Sequence, residues 1–461
     1  MSSISKPVVI DEERVLEPGL AAVRLLSSSA IHQMARRVAI GVQICLNVAV
    51  SYVFSRIMAH RFGTTAEKDG FDIAISVPMI LLSVGGLGFL SSAITVHAAR
   101  LRQSSMNRIN EVFSTLLTYM LSGCIVFGAV CCLLPELVVG LLAPGLDGPS
   151  AETTRRLLPF LVPLAVTLGL GTYYASLLMA FGVPVTSEFC LIFTRIGVIA
   201  YAIYLGERST LIDIAVGLTC LSLVASILEG VWLRTTTGIR LRCRFYCDDP
   251  EFRAIVNQSL SLLAVSAVVQ FSWAYVRRMA SLDGPGTNAS LTYLFSIINP
   301  LSVLLSKPFS LTDGLKVPYA TTAADCNTAI ARLMYLLLLT GLISSAIAGC
   351  AQLYADELVA ILFGGGKFDA TSVASTAAMF RWFVWGLPGS TIVGVATVPL
   401  LAMGRGHAPA IVLTIGYAIQ TILTAVLFPS YGAQGIAIAY VISTALQAFL
   451  AIGMMFYRLR Q

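Results

Sequence analysis

Charge is what this chain has least of. Only 12% of its 461 residues are charged and histidine occurs four times. The sizeable polar stretches are residues 1–36 and 234–253. Neither is long enough for a separate catalytic domain, so an enzyme working in water is not expected and no cofactor is implied. The first 36 residues hold Asp11-Glu12-Glu13-Arg14 and lack the basic, apolar and cleavage regions of a signal peptide, which predicts a cytoplasmic extension. Metal-binding clusters are missing too. Cys243 and Cys247, beside Asp248-Asp249, form a lone C-x₃-C without histidine partners, so no metal site is expected. Cys45, Cys124, Cys131, Cys132, Cys190, Cys220 and Cys350 lie in apolar stretches, where cysteine acts as a small hydrophobe.

What is present is apolar surface: 57% hydrophobic residues and a mean hydropathy of +0.83. A soluble domain could not hide that much, so the bilayer must be its solvent. Stretches long enough to cross the hydrocarbon core fall near 38–60, 71–97, 112–134, 157–181, 184–206, 210–232, 256–277, 287–312, 329–353, 372–401, 408–428 and 433–456. The expected fold is an all-α polytopic membrane protein of about twelve transmembrane helices.

Those helices repeat. At one constant offset Arg56 falls on Arg278, Pro78 on Pro300, Gly182 on Gly404, and Asp213-Ile214-Ala215-Val216 on Gly435-Ile436-Ala437-Ile438. At Glu136-Leu137-Val138 the register slips by one, to Glu357-Leu358-Val359. Two six-helix halves insert with the same orientation, so the repeat is parallel, about an axis along the membrane normal. The expected division is an N-terminal extension (1–36), a first bundle (37–233), a basic linker (234–253) and a second bundle (254–457). Arginines crowd the side that holds both termini, among them Arg36, Arg37, Arg100, Arg102, Arg108, Arg234, Arg240, Arg242, Arg244 and Arg253. Positive loops stay inside, which predicts cytoplasmic termini. Pro78 and Pro300 occupy matching places and are hinge candidates, a static kink being the alternative reading.

The first outer loop reads Phe62-Gly63, then Asp69-Gly70-Phe71, then Pro78. This resembles the F-G-x₅-D-x-F-x₆-P signature of MurJ/MviN-type flippases, within the superfamily of multidrug and oligosaccharidyl-lipid exporters. Leu141-Leu142-Ala143-Pro144-Gly145, Ile361-Leu362-Phe363-Gly364-Gly365-Gly366-Lys367-Phe368-Asp369, Gly386-Leu387-Pro388 and Gly432-Ala433-Gln434-Gly435-Ile436-Ala437 also fit, over residues 35 to 457. The resemblance implies a multi-pass protein of the bacterial inner membrane that moves undecaprenyl-pyrophosphate-linked sugars between leaflets. Its implied partners are a lipid-linked anionic glycan substrate, membrane lipids, and glycan polymerase or export machinery, with no nucleic acid.

The sequence departs from the peptidoglycan-precursor flippases at three positions where they carry arginine. Phe54-Ser55, Leu82-Ser83 and Phe295 or Ser296 are neutral here. The expected plan of twelve helices also falls short of their fourteen. Both departures favour a different lipid-linked sugar, such as an exopolysaccharide repeat unit, over lipid II.

A diphosphate crossing hydrocarbon needs cations, and arginine's fork suits phosphate oxygens. Arg56 and Arg278 are candidates for a paired clamp, with snorkelling to headgroups as the competing reading. Arg195, Arg381 and Lys307 fall inside expected spans and are further substrate-binding candidates. Asp69 is expected to be a structural loop residue that caps helix amides. Gln258, Gln270, Gln420 and Thr421 could coordinate a cation or sugar, and Tyr173, Tyr174, Trp273, Tyr275, Trp382 and Trp385 could stack on sugar faces. The sequence shows no acid within helices 7 and 11 to hold sodium, which leaves the driving force open. A lipid II flippase, a cation-coupled multidrug exporter and a non-transporting scaffold are the alternatives, and the basic character of the embedded charge argues against the second.

Overall fold

The computed structural model describes residues 41–43, 45–84, 94, 97–98, 101, 106–181, 183, 189–246, 248–309, 323–402 and 407–459. The extension 1–36, Gly182, Gly404, Cys247 and the glycines of Gly85-Gly86-Leu87-Gly88 lie outside them, as do the side chains of Lys307 and Gln258. The first half comprises α1 (Gly41–Phe62), α2 (Ala66–Val84), α3 (Met106–Leu133), α4 (Pro135–Leu142), α5 (Gly148–Leu161), α6 (Pro163–Ala180), α7 (Phe189–Leu205) and α8 (Leu211–Thr237). The second comprises α9 (Pro250–Asp283), α10 (Thr287–Phe309), α11 (Ala323–Leu353), α12 (Ala355–Phe363), α13 (Ala370–Phe383), α14 (Gly386–Ala402) and α15 (His407–Leu459).

Helices occupy the described part of every window that hydropathy marked. Among the described residues eight are long and apolar enough to cross a membrane singly, and α13 with α14 forms a span bent by 49°. The α15 segment is two spans, because Gly432 adopts φ 54° and ψ −135° inside it. Its arms return on each other, Ser443 Oγ donating to the Gly416 carbonyl at 3.0 Å. The chain is an all-α polytopic membrane protein with an internal repeat.

The repeat extends to the helix breaks. A short helix follows the third span of each half, α4 after a break at Leu134 and α12 after one at Tyr354. The next helix starts on an aspartate in both halves, in the same register as Arg56 and Arg278. Asp147 accepts the Ser150 amide at 3.0 Å and Asp369 the Ser372 amide at 2.8 Å, each filling one of the vacant N-terminal positions. Each half also ties the end of its first helix to the turn between its last two. Arg61 donates to Ser209 Oγ in one, and Asp283 Oδ1 accepts the Ala433 amide at 3.0 Å in the other.

One end of the molecule is sealed between the halves. The Lys367 amide donates to the His60 carbonyl at 2.8 Å, Tyr293 Oη to the Gly63 carbonyl at 2.9 Å, and Thr64 Oγ1 lies 2.7 Å from Ser372 Oγ. Gly63 sits at φ 56°, where a Cβ would come within 2.2 Å of the Lys367 carbonyl oxygen. Only glycine permits that backbone conformation and that approach together.

Candidate substrate cavity

Behind the seal lies a cavity of about 650 Å³ between α2, α9, α10, α14 and α15. Helix α9 presents Gln270, Trp273 and Arg277 to it, α2 presents Ser76, and α10 presents Asn299. The spacing of Gln270, Trp273 and Arg277 puts them on one helical face. Among the described lining residues Arg277 carries the only formal charge. Its Nη1 is shut off from solvent and makes no hydrogen bond.

Arg277 belongs to a buried group that spans both halves. Lys68 Nζ pairs with Asp72 Oδ2 at 2.5 Å, both side chains being 2% exposed, and the charges of Asp72 and Asp69 act on the Arg277 guanidinium. Lys68 also lies over the Tyr293 ring, 5.0 Å from its centroid. In formal charge the two cations balance the two acids, which is what makes burial of ion pairs tolerable. Aromatic packing holds the α9 face in place: Trp273 meets Phe295 edge-on at 4.4 Å, Phe295 meets Phe383 at 4.6 Å, and Phe383 stacks on Tyr440 at 4.3 Å. Gln420, 1% exposed, lines the cavity with its Oε1 unpartnered.

The arginines picked from the sequence lie elsewhere. Arg278 is turned away from the cavity and donates to the Gly140 and Leu141 carbonyls at 3.2 Å, where it caps the C-terminal end of α4. Arg56 is exposed and approaches only Tyr52 Oη at 3.4 Å, so the clamp with Arg278 is not assembled. Arg195 ties α7 to α1 through Asn47 Oδ1 at 2.8 Å and Ser51 Oγ. Arg381 is not deep: its side chain is 44% exposed and paired with Asp356. Lys307 lies on α10 with a side chain outside the described residues.

Asp69 does cap a helix, but not its own. Its carboxylate accepts the amides of Gly286 at 2.5 Å and Ala289 at 2.7 Å, at the start of α10. Pro78 and Pro300 lie within α2 and α10, and both helices continue through them. Of the aromatic candidates Trp273 reaches the cavity, Tyr173 is buried against the Phe113 carbonyl at 2.5 Å, and Trp382 and Trp385 are exposed. Gln270 lines the cavity and donates to Ser83 Oγ at 2.9 Å. Sequence reading passed over Arg277 in favour of its neighbour, although the shared face with Gln270 and Trp273 marks it.

The family model described as "Lipid II flippase MurJ" matches residues 58–460. The chain belongs to the MurJ family. Curated relatives include a "Probable lipid II flippase MurJ" of Rhizobium meliloti (strain 1021), 24% identical over 88% of this chain and 77% of that protein. A "Lipid II flippase MurJ" of Burkholderia cenocepacia is 23% identical over 86% and 78%. Among solved structures the fold is similar to "Lipid II flippase MurJ, inward closed conformation", with TM-score 0.78 and 17% identity over 90% of this chain and 86% of that one. It is also similar to an inward-facing MATE-family multidrug transporter of the MOP superfamily, with TM-score 0.71 and 14% identity over 91% and 94%. MurJ-family members and MATE transporters therefore share this two-bundle fold.

Proposed function

We propose that this chain is a flippase that carries an undecaprenyl-pyrophosphate-linked glycan across the bacterial inner membrane by alternating access, with no covalent chemistry of its own. Arg277 carries the reading: it is the only formally charged side chain among the described residues that line the cavity. A guanidinium on that wall suits the oxygens of a pyrophosphate. The mixed polar and aromatic wall suits a sugar, while the polyprenyl chain stays in lipid.

The family model and the names of the curated relatives support lipid II as the substrate over the exopolysaccharide unit that the neutral positions favoured. An exopolysaccharide unit is the second reading. It draws on the neutral residues Phe54-Ser55, Leu82-Ser83 and Phe295 or Ser296. In this proposal both termini and the 234–253 linker are cytoplasmic, the sealed end faces outward, and residues 37–233 and 254–457 move as two bundles. Glycan polymerase or export machinery would take the product.

The test is flipping of fluorescent lipid II and of a second undecaprenyl-pyrophosphate-linked oligosaccharide in proteoliposomes. Wild type should move at least one of them, and Arg277→Ala should slow that movement about ten- to a hundredfold while remaining folded. Equal rates in wild type and Arg277→Ala would remove Arg277 from the site. Movement of neither lipid by wild type would sink the flippase reading.

A further inference from the structure

Among the described residues four acids are buried: Asp69, Asp72, Asp249 and Glu229. Three are matched, Asp69 by backbone amides, Asp72 by Lys68, and Asp249 by Arg108 at 2.6 Å. Glu229, on α8, is 1% exposed and neither of its carboxylate oxygens has a hydrogen-bond partner. It faces α6 and α7. A Cβ on Gly171 of α6 would lie 3.1 Å from Glu229 Oε2 and 3.1 Å from Cys190 Sγ of α7. The Cys190 amide, at the start of α7, approaches the carboxyl but does not complete a hydrogen bond to it. Ser222 Oγ, on α8, and Thr194 Oγ1, on α7, are also buried without partners. Both face the Cys190 thiol, which is 3.9 Å from Ser226 Oγ.

An ionised carboxylate in this setting would have no cation and at best one backbone amide, a costly arrangement away from water. A protonated one is neutral and fits. A hard metal ion would ask for a cage of oxygens, and here a thiol occupies one side and the Gly171 backbone another. The titratable groups that face Glu229 are Tyr174 from α6 and Cys190 from α7; among the described residues no charged side chain does. The nearest basic residue along its own helix is the exposed Arg234.

A second cavity lies beside it. A cavity of about 550 Å³ between α6, α8 and the linker is lined by Tyr174, Ser226 and Gly230, with Arg234, Arg240 and Arg242 among its walls. Ser226 and Gly230 lie one turn apart on α8 and Glu229 is next to Gly230, so a rotation of α8 would turn its carboxyl toward that cavity. There the ionised form would gain solvent and basic neighbours.

We propose that Glu229 is a proton-binding site in the first bundle, filled and emptied from the linker side, and that its protonation gates the transport cycle. The site is separate from the Arg277 cavity, and only its coupling to transport rests on the flippase reading. Loss of the proton from the dry pocket requires the helices around it to move, which links one protonation step to one conformational step.

Two measurements test it on the full-length protein. Infrared difference spectra between acidic and alkaline pH should show a protonated-carboxyl C=O band that Glu229→Gln lacks and that Glu229→Asp retains in shifted form. The same band in Glu229→Gln overturns the proposal. In proteoliposomes, lipid-linked sugar flipping by wild type should change several-fold with the pH on the linker side, and Glu229→Gln should flip without that dependence. Flipping by wild type that ignores the linker-side pH overturns the coupling. If no lipid-linked sugar moves under any condition, the flippase reading and with it the coupling fall, and the infrared band still decides whether Glu229 binds the proton.

Discussion

The carboxylate of Asp69 accepts the amide of Ala289 at 2.7 Å, so the first half supplies the helix cap for the second. The same carboxylate takes the Gly286 amide, and Asp69 is 1% exposed. Separating the halves at this end would strand both amides and the acid. Asp69→Ala should therefore loosen the sealed end by about 1–3 kcal/mol, and Asp69→Asn, which keeps one acceptor, by less. Modification of a cysteine placed at Thr64, with exposed native cysteines replaced, reads the opening. Unchanged labelling in Asp69→Ala would refute the gate role.

Adjacent arginines should behave differently. Arg277→Ala removes the charge on the cavity wall and should slow flipping by about ten- to a hundredfold, the equivalent of one charge-assisted hydrogen bond. Arg278→Ala removes a cap from α4 and should cost at most about 1 kcal/mol of stability, with flipping largely retained. The reverse pattern would return Arg278 to the substrate path.

Gly63→Ala should prevent the seal from closing. Its Cβ would meet the Lys367 carbonyl oxygen, and its positive φ adds about 1–3 kcal/mol of backbone strain. Gly349→Ala is the control, since nothing lies within 4 Å of its added Cβ, and a helix-interior alanine should stabilise by about 0.5–1 kcal/mol. Thermal unfolding in detergent, together with labelling at Thr64, compares the two. A Gly63→Ala protein that labels like wild type would show that the turn can yield.

Arg381→Ala and Arg195→Ala should separate in stability. Arg381 and Asp356 form an exposed pair, worth under about 1 kcal/mol. Arg195 is half-buried and joins α7 to α1 through Asn47 and Ser51, so its loss should cost about 1.5–3 kcal/mol. Unfolding midpoints of the two variants give the comparison. A larger loss from Arg381→Ala would mean that the pair is shielded in the membrane.

The sequence by itself determined the order and approximate limits of the membrane-spanning helices, because a bilayer crossing needs a fixed length of apolar chain and that length is read locally. The repeat was equally legible. Asp147 and Asp369 begin equivalent helices in the two halves, and each makes its cap within its own first turn. Only the tertiary structure decided which way each helix is turned about its axis. Arg277 and Arg278 are neighbours in the chain and about 100° apart around the helix, and packing against α2 and α15 put the first on the cavity and the second on the carbonyls of α4. Hydropathy averages over both. Asp69 likewise reads as a local cap, but its amides belong to the other half of the chain, where no sequence window reaches. Glu229 is one acid in an apolar helix until α6 and α7 close around it and leave it without a partner.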